Sequence, residues 1–191
     1  MMLSVLTPPA VEPVSLDALK AELRATSGVD DALIAALGVA ARQRVESELG
    51  LALLATGFRQ IQDGFAPATP LGAILLARGP LISVQAIAVA DQTAAFHALD
   101  PPAYRPQVGS LPSEVGRTAV VWRAPTLQSS GVRIDYTAGF GTDPGLVPAP
   151  LVQAILALAA FAYTHRAEAA VSGAPQSLIE PWLAPWRKAR L

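Results

Sequence analysis

Apolar residues recur at helical spacing twice within the first fifty positions of the chain. Leu16, Leu19 and Leu23 form one apolar stripe, which predicts a short helix over about 15–25 with Ser15 as its N-cap. A longer stripe predicts a second helix that begins at Asp30 or Asp31 and ends before a C′ glycine, Gly50. Its predicted core positions are Leu33, Ile34, Leu37, Ala41, Val45 and Leu49, and its predicted outer positions are Arg42, Gln43, Glu46 and Ser47.

Between residues 56 and 138, apolar residues recur at every second position instead of at helical spacing. Five segments are predicted to be short strands: "GFRQIQ", "AILLA", "LISVQAIAVA", "TAVVWRA" and "GVRIDYTA". The last alternates most regularly, because Val132, Ile134 and Tyr136 point one way and the polar residues between them the other. The stretch "DPPAYRPQVGSLPSEVG" (100–116) holds four prolines and is predicted to be an irregular loop.

The most apolar run of the chain, "LVQAILALAAFAY", predicts a third helix over about 149–168 that is buried on several sides. At 13 residues the run is too short for a membrane span, which needs about 20. Residues 1–13 carry three prolines and no periodicity, so they are predicted to form an extended arm. The start of the chain has no secretory signal pattern, and we expect a soluble intracellular product without a membrane partner.

The order of these elements predicts an α+β fold. It comprises two N-terminal helices, a small mainly antiparallel β region, a long buried C-terminal helix and an extended or short-helical C-terminal tail. We divide the chain into an arm (1–13), a single α+β domain (14–170) and a C-terminal tail (171–191).

The composition argues against several classes of function. Fourteen basic and fifteen acidic residues give a net charge of −1, which argues against a protein whose main task is to grip nucleic acid. No cysteine is present, and the two histidines lie far apart, so we expect no metal site and no cofactor. A hydrophobic fraction of 52% and a mean hydropathy of +0.39 indicate that part of the apolar surface is covered by other subunits.

The stretch "GFGTDPG" (139–145) before the third helix could be an anion-binding loop. It lacks the lysine of a P-loop, and prolines separate its glycines from the helix. We therefore interpret Gly139 and Gly141 as structural turn residues that supply positive φ values. No nucleophile elbow or catalytic triad pattern is present, so no catalytic residue is predicted.

The C-terminal tail concentrates aromatic and basic residues. Its notable members are Leu178, Ile179, Trp182, Leu183, Trp186, Arg187, Lys188 and Arg190. Two interpretations are open: the segment folds back on the chain's own core, or it docks on a partner, since Trp and Arg are favoured interface anchors. The short basic-aromatic end behind "VSGAP" favours docking, and Pro181 and Pro185 argue against a long regular helix.

Six segments in this order resemble the head–tail connector, or adaptor, family of long-tailed phages and phage-like gene transfer agents. They are "EPVSLDALKAELR", "DDALIAALGVAARQRVESELG", "LARGPLISVQAIAV", "VRIDYTAGFG", "VPAPLVQAILALAAFAYTHR" and "LAPWRKARL". The resemblance covers about residues 12–191. One departure is "DQTAAFHAL", which lacks the glycine expected in that hairpin turn.

The resemblance implies a structural role. Adaptors of this family form a ring, usually of twelve copies, beneath the portal at the head–tail junction of a virion or phage-like particle, after assembly in the bacterial cytoplasm. The ring extends the DNA channel, through which DNA passes without sequence-specific binding, and offers a platform for the next tail or head-completion component. Family members are not enzymes, and the segment that reaches the portal corresponds to residues 178–191.

Two functions of other classes remain as alternatives. One is a small α+β enzyme that uses the Gly139–Gly145 loop as an anion site. The other is a DNA-binding accessory protein that uses the basic C-terminal tail.

Overall fold

Four α-helices and eight β-strands make up the described part of the chain. A computed structural model describes residues 1–63, 73–100, 104–107, 119–122, 131–166 and 176–187. The helices are α1 (Leu16–Leu23), α2 (Asp31–Leu49), α3 (Ala149–Thr164) and α4 (Gln176–Leu183). The strands are β1 (Met2–Thr7), β2 (Thr56–Asp63), β3 (Ala73–Leu75), β4 (Leu81–Ala90), β5 (Phe96–Ala98), β6 (Tyr104–Gln107), β7 (Ala119–Trp122) and β8 (Gly131–Ala138). The α+β class is confirmed.

The first two helices begin and end close to the predicted positions. The Ala18 N–H donates a 3.2 Å hydrogen bond to Ser15 Oγ, so Ser15 is the N-cap of α1. Gly50 follows α2 with a φ of +65°, the left-handed conformation that a C′ glycine supplies. Local chemistry at the helix ends was therefore sufficient to locate both helices.

The helices enclose one of two apolar cores. The buried stripe of α2 differs from the predicted one, because Arg42 is buried and Leu33 is exposed. Ile34, Ala41, Val45 and Leu49 are buried as predicted, and hydrogen bonds to Glu12 and Glu46 hold Arg42 inward. The prediction that α3 is a long buried helix is confirmed, because it packs against α1, α2 and α4. Its fully buried residues are Leu151, Ala154, Ile155, Leu158 and Ala159.

The second core lies under a five-stranded antiparallel sheet with the order β1-β2-β8-β4-β5. The central strand β8 buries Val132, Ile134 and Tyr136 and leaves the residues between them half-exposed, as its alternation predicted. Burial raises the pKa of Tyr136 to about 12, and its hydroxyl accepts a 3.2 Å hydrogen bond from the Arg78 N–H. A second sheet has the order β3-β7-β6.

Three strands, β1, β5 and β6, lie where the sequence predicted none. Residues 2–7 of the predicted arm are extended but pair with β2 as an edge strand. Strand β6 lies inside the predicted irregular loop, and it tolerates Pro106 because it is the edge of its sheet. Residues 101–103 and 108–116 of that loop lie outside the described residues, as do residues 167–168 of the third predicted helix.

The hairpin that joins β4 to β5 reverses without the expected glycine. Ala94 takes the left-handed position with a φ of +63°. Asp91 accepts hydrogen bonds from the N–H groups of Thr93 and Ala95, and these bonds hold the turn. Hydrogen bonds from the Thr93 hydroxyl and, to a smaller extent, from His97 hold the pKa of Asp91 well below its usual range.

The segment between α2 and β2 joins the two cores. Leu51, Leu53 and Leu54 are buried among the helices, whereas Ala52 is buried under the sheet. The backbone of this segment bonds to the turn after β8, since the Phe140 N–H donates to Leu53 O at 3.2 Å. The end of the sheet is thereby fixed against the helical layer.

Candidate functional site

The C-terminal segment (residues 176–187) packs on the chain's own helical core. It begins with α4 and continues in a single 3₁₀ turn over Ala184–Trp186. Ile179 and Leu183, four residues apart on one face of α4, are fully buried in the helical core. Of the two interpretations from the sequence, the folded-back arrangement describes these residues.

The prolines shape this segment without preventing a helix. Pro181 lies inside α4, and Pro185 lies at the start of the 3₁₀ turn. Each proline removes one backbone donor, so the segment consists of a short helix and a turn instead of one long helix. The prediction that a long regular helix would not form is confirmed for the described residues.

The tryptophans of the segment lie at the boundary between core and solvent. Trp182 and Trp186 are half-buried and contact the helical core. The Trp186 ring meets Phe140 edge-on, with 5.7 Å between centroids, a favourable aromatic geometry. Leu178 is half-buried beside them, so these three residues keep part of their apolar area open to a partner.

The first and last residues of the segment, Gln176 and Arg187, contact the same two carboxylates. Arg187 Nη2 donates to Glu180 at 2.8 Å and approaches Glu48 of α2 at 3.5 Å. Gln176 Nε2 donates to the same two carboxylates at 3.3 Å and 3.0 Å. Lys188 and Arg190, the other predicted basic residues, lie outside the described residues.

The turn at residues 139–146 has the geometry of a corner. Gly139 and Gly141 have φ values of +144° and +145°. The N–H groups of Gly139, Phe140 and Gly145 donate to the protein itself, to Pro80 O, Leu53 O and Asp143 Oδ1. An anion placed here would meet the Asp143 carboxylate instead of free donors.

An ion pair between the buried Arg42 and the half-buried Glu12, which the sequence analysis missed, ties the N-terminal region to α2. Arg42 Nε and Nη2 donate to the Glu12 carboxylate at 2.7 Å and 3.2 Å, and Nη1 donates to Glu46 at 2.8 Å. Burial alone would lower the pKa of Arg42, but the two carboxylates more than offset it and raise the pKa. The spacing of Arg42 and Glu46, four positions apart, was a signal for part of this pair.

An open groove of about 450 Å³ lies between the N-terminal region, α1 and α2. Its lining is apolar apart from Glu12 and Ser15, and Gly38 lies in its wall. Such a lining suits an apolar side chain of a partner better than an anion or a reacting group.

Large apolar side chains are also exposed on the surface of the chain. They are Met1, Met2, Val5, Leu6, Val11, Val29, Leu33, Leu75, Ile82, Phe96 and Leu146. Five of the eleven fall within residues 1–11, so the apolar exposure is concentrated at β1 and the residues beside it.

The described ranges hold neither a metal-binding cluster nor a membrane-spanning helix. No group of three or more His, Asp or Glu side chains there is placed to hold a metal ion. No helix in the same part of the chain is long and apolar enough to cross a membrane.

Comparison with known proteins gives matches in structure only. No family model matches the sequence, and no curated protein matches it. A chain from the neck of an empty gene transfer agent (GTA) particle, computed with C6 symmetry, superposes with a TM-score of 0.80 at 24% identity. A chain from the virion of a native GTA particle gives 0.79 at 24%, and one from the neck of a native GTA particle, computed with C12 symmetry, gives 0.68 at 25%.

Each match covers 100% of this chain and 97% of the other, so the likeness extends over the whole fold. This finding is consistent with the resemblance to head–tail connectors that the six sequence segments indicated. The chain has the fold of protein chains found in gene transfer agent particles and their necks.

Proposed function

We propose that this chain is a structural subunit of the head–tail junction of a phage-like particle. It assembles into a ring of twelve copies on the portal, extends the DNA channel and joins the capsid to the tail. The observation that carries the proposal is the full-length fold match to chains of GTA necks. It acts without catalysis or a cofactor.

The surface of the chain supports assembly with other subunits. Exposed apolar residues are concentrated at β1, and α3 leaves apolar residues such as Leu156 and Phe161 half-exposed. Exposed apolar surface of this kind marks contact sites between proteins. A net charge of −1 suits a channel wall, because DNA must slide past it without being held.

The C-terminal segment supplies the portal contact in this proposal. Some of its residues anchor it in the core, and others contact the portal. Ile179 and Leu183 anchor the segment in the chain's own core. Trp182, Trp186 and Arg187 remain partly open to a partner. The segment then docks as part of the folded body, and Lys188 and Arg190, which follow it in the sequence, take part in the proposed portal contact.

Neither alternative function gains support from the structure. Three N–H groups of the loop at 139–145 donate hydrogen bonds within the protein, and Asp143 places a carboxylate in the loop. Arg187, one of the three basic residues that a DNA-binding tail would use, is paired with Glu180 and Glu48. We therefore retain the structural role alone.

The test measures binding of the chain to the portal protein of its particle. Removal of residues 174–191 would also remove the core anchors, so the informative variants keep Ile179 and Leu183. We compare the intact chain with a chain that ends at Arg187 and with Trp182→Ala. Both are expected to bind the portal at least tenfold more weakly, because each loses residues of the proposed portal contact.

A matched control is Arg105→Ala, which removes an exposed basic residue from β6, away from the C-terminal segment. Thermal melting of each variant separates lost contact from lost folding. Unchanged portal binding by both C-terminal variants, with folding intact, would show that the docking role is wrong. Absence of any ring in purified particles would overturn the proposal as a whole.

A further inference from the structure

Strand β1 has one free edge. It pairs with β2 through five residue pairs between Met2↔Ile61 and Thr7↔Gly57. No strand among the described residues pairs with its other side, because β1 stands first in the sheet order. Alternate N–H and C=O groups along that side are therefore available to a further strand.

This edge carries neither proline nor a charged side chain within the strand, and its one irregularity is a β-bulge between Val5 and Thr7. Edge strands are commonly interrupted by proline or carry lysine or another charge that prevents pairing with a second chain. The first charged side chain here is Glu12, and both Pro8 and Pro9 follow the strand instead of interrupting it. The exposed fractions of Met2, Val5 and Leu6 are 58%, 57% and 48%.

An added strand would find apolar contacts on the inner face of the sheet. Leu3 is half-buried against the sheet's core, and Val5 stands opposite the buried Phe58. The core thus continues outward to β1 and ends at Val5, which is exposed. A further strand would cover Val5 with its own inward-facing side chain.

At the opposite edge of the same sheet, β5 likewise has a side that no other described strand pairs with. Strand β5 pairs with β4 through Phe96↔Ala90, His97↔Val89 and Ala98↔Ala88. Phe96 is 38% exposed, and the Arg133 guanidinium lies 5.0 Å from its ring centroid. Neither β1 nor β5 contains Asp, Glu, Lys or Arg, so neither strand itself carries a fixed charge that would oppose their pairing.

The strand directions restrict how copies in a ring can meet. The sheet has five strands in antiparallel succession, so β1 and β5 run in the same direction. Twelvefold rotation changes the direction of a strand by at most about 30° between neighbours. A ring also needs a heterologous contact, in which two different surfaces meet. Pairing of β5 with a neighbour's β1, in parallel, satisfies both conditions.

We propose that in the assembled ring the free edge of β1 is covered by β5 of the neighbouring copy, which joins the sheets of adjacent subunits. The inference rests on the ring of the proposed function. It names a heterologous interface made of two sheet edges, separate from the C-terminal segment that contacts the portal.

Cysteine cross-linking tests the pairing, because the natural chain contains no cysteine. Val5→Cys and His97→Cys are combined in one chain, and each single variant serves as a control. Rings on the portal are first verified by size and then treated with a short bifunctional maleimide. We expect a ladder of covalent oligomers from the double variant and monomers from each single variant.

The other outcomes overturn the inference in distinguishable ways. Dimers from Val5→Cys alone would mean that two copies of β1 meet each other. Intact rings without a ladder would mean that another protein, or nothing, covers β1, while the proposed ring would stand. Absence of rings from the wild-type protein at the first step would overturn the ring and the pairing together.

A charge on the edge gives a second test that does not depend on cross-linking. Val5→Lys places an ammonium group where the neighbour's strand is expected, and the exposure of Val5 leaves folding intact. Its matched control is Val29→Lys, at a position 90% exposed and outside both edges. Val5→Lys should weaken ring assembly at least tenfold with an unchanged melting temperature, whereas Val29→Lys should assemble normally. Equal assembly of both variants would overturn the pairing.

Discussion

Gly139 shows how one residue can fix the junction between the sheet and the helices. Its φ is +144°, and a Cβ built on it would lie 2.4–2.6 Å from backbone atoms of Leu54 and Ala55. A backbone obstacle cannot rotate away as a side chain can. Gly139→Ala is therefore expected to lower the free energy of unfolding by about 2–4 kcal/mol, as measured by urea denaturation.

Gly28→Ala is the matched control for this substitution. Gly28 is exposed, and an added Cβ would meet only the Asp31 side chain, at 3.6 Å. We expect its free energy of unfolding to change by no more than about 0.5 kcal/mol. Equal effects of the two substitutions would mean that Gly139 has no special conformational role.

The ion pair across β2 and β8 predicts an acid-sensitive contribution to stability. Arg59 Nε and Nη2 donate to the two Asp135 carboxylate oxygens, both at 2.7 Å. These hydrogen bonds from Arg59 hold the pKa of Asp135 below its usual value, although burial opposes them. The unfolded chain then takes up the proton more readily than the folded one, so this contribution is complete above the unfolded pKa of about 4.

As the pH falls through the folded pKa of Asp135, that contribution is lost. NMR titration should find the carboxyl pKa of Asp135 below the usual aspartate value in the wild type and higher in Arg59→Met. The free energy of unfolding of Asp135→Asn should depend less on pH below about 4 than that of the wild type. An unshifted wild-type pKa would show that the pair is absent in solution.

At the scale of elements, α4 depends on burial instead of intrinsic helix propensity. It is eight residues long and contains Pro181, so it would not form in isolation. Ile179 and Leu183 fix it to the helical core. Ile179→Ala should lower the free energy of unfolding by about 2–5 kcal/mol, because it leaves a cavity in a fully buried site.

Ser177→Ala, on the exposed side of the same helix, is the control and should change stability by at most about 0.5 kcal/mol. Urea denaturation monitored by tryptophan fluorescence measures both variants, since Trp182 and Trp186 report on this segment. A wild-type-like stability for Ile179→Ala would mean that α4 is undocked in solution.

Elements with strong local signals were predictable from the sequence, and those that depend on distant partners were not. Ser15 and Gly50 mark helix ends because a serine side chain can cap a helix and glycine readily adopts the left-handed conformation. The strict alternation of apolar and polar residues identifies β8. Strand β1 has no alternating pattern of burial, because an edge strand leaves both of its faces exposed. Its partners in β2 are 50 to 59 positions away in the sequence, beyond the reach of a local pattern.

The sequence singled out the residues of the candidate site but did not determine how they fold. The spacing of Ile179 and Leu183 carried a helical signal for core packing, and Pro181 obscured it. One of the two carboxylates that contact Arg187 and Gln176 belongs to Glu48, which is 139 and 128 positions away in the sequence. Only the folded structure could bring these groups together.

The charge of the whole molecule leads to a final prediction about DNA. Tight binding to DNA requires many basic side chains that neutralise phosphates and release counterions. Here the basic residues are outnumbered by acidic ones, fourteen to fifteen, and Arg187 already contacts two carboxylates. Fluorescence anisotropy with a DNA duplex at physiological salt should therefore give a Kd weaker than about 10⁻⁴ M, the weak end of the range for non-specific binding.

Replacement of Arg187, Lys188 and Arg190 by alanine should leave that weak affinity unchanged, whereas the same replacement should reduce binding to the portal. The two assays thus separate a surface that recognises a protein from one that recognises phosphates. A wild-type Kd below about 10⁻⁶ M, with a steep salt dependence that the triple variant loses, would favour the DNA-binding alternative. A chain that binds its portal tightly and DNA weakly would have the properties that a channel subunit needs, because DNA must pass the ring without being retained.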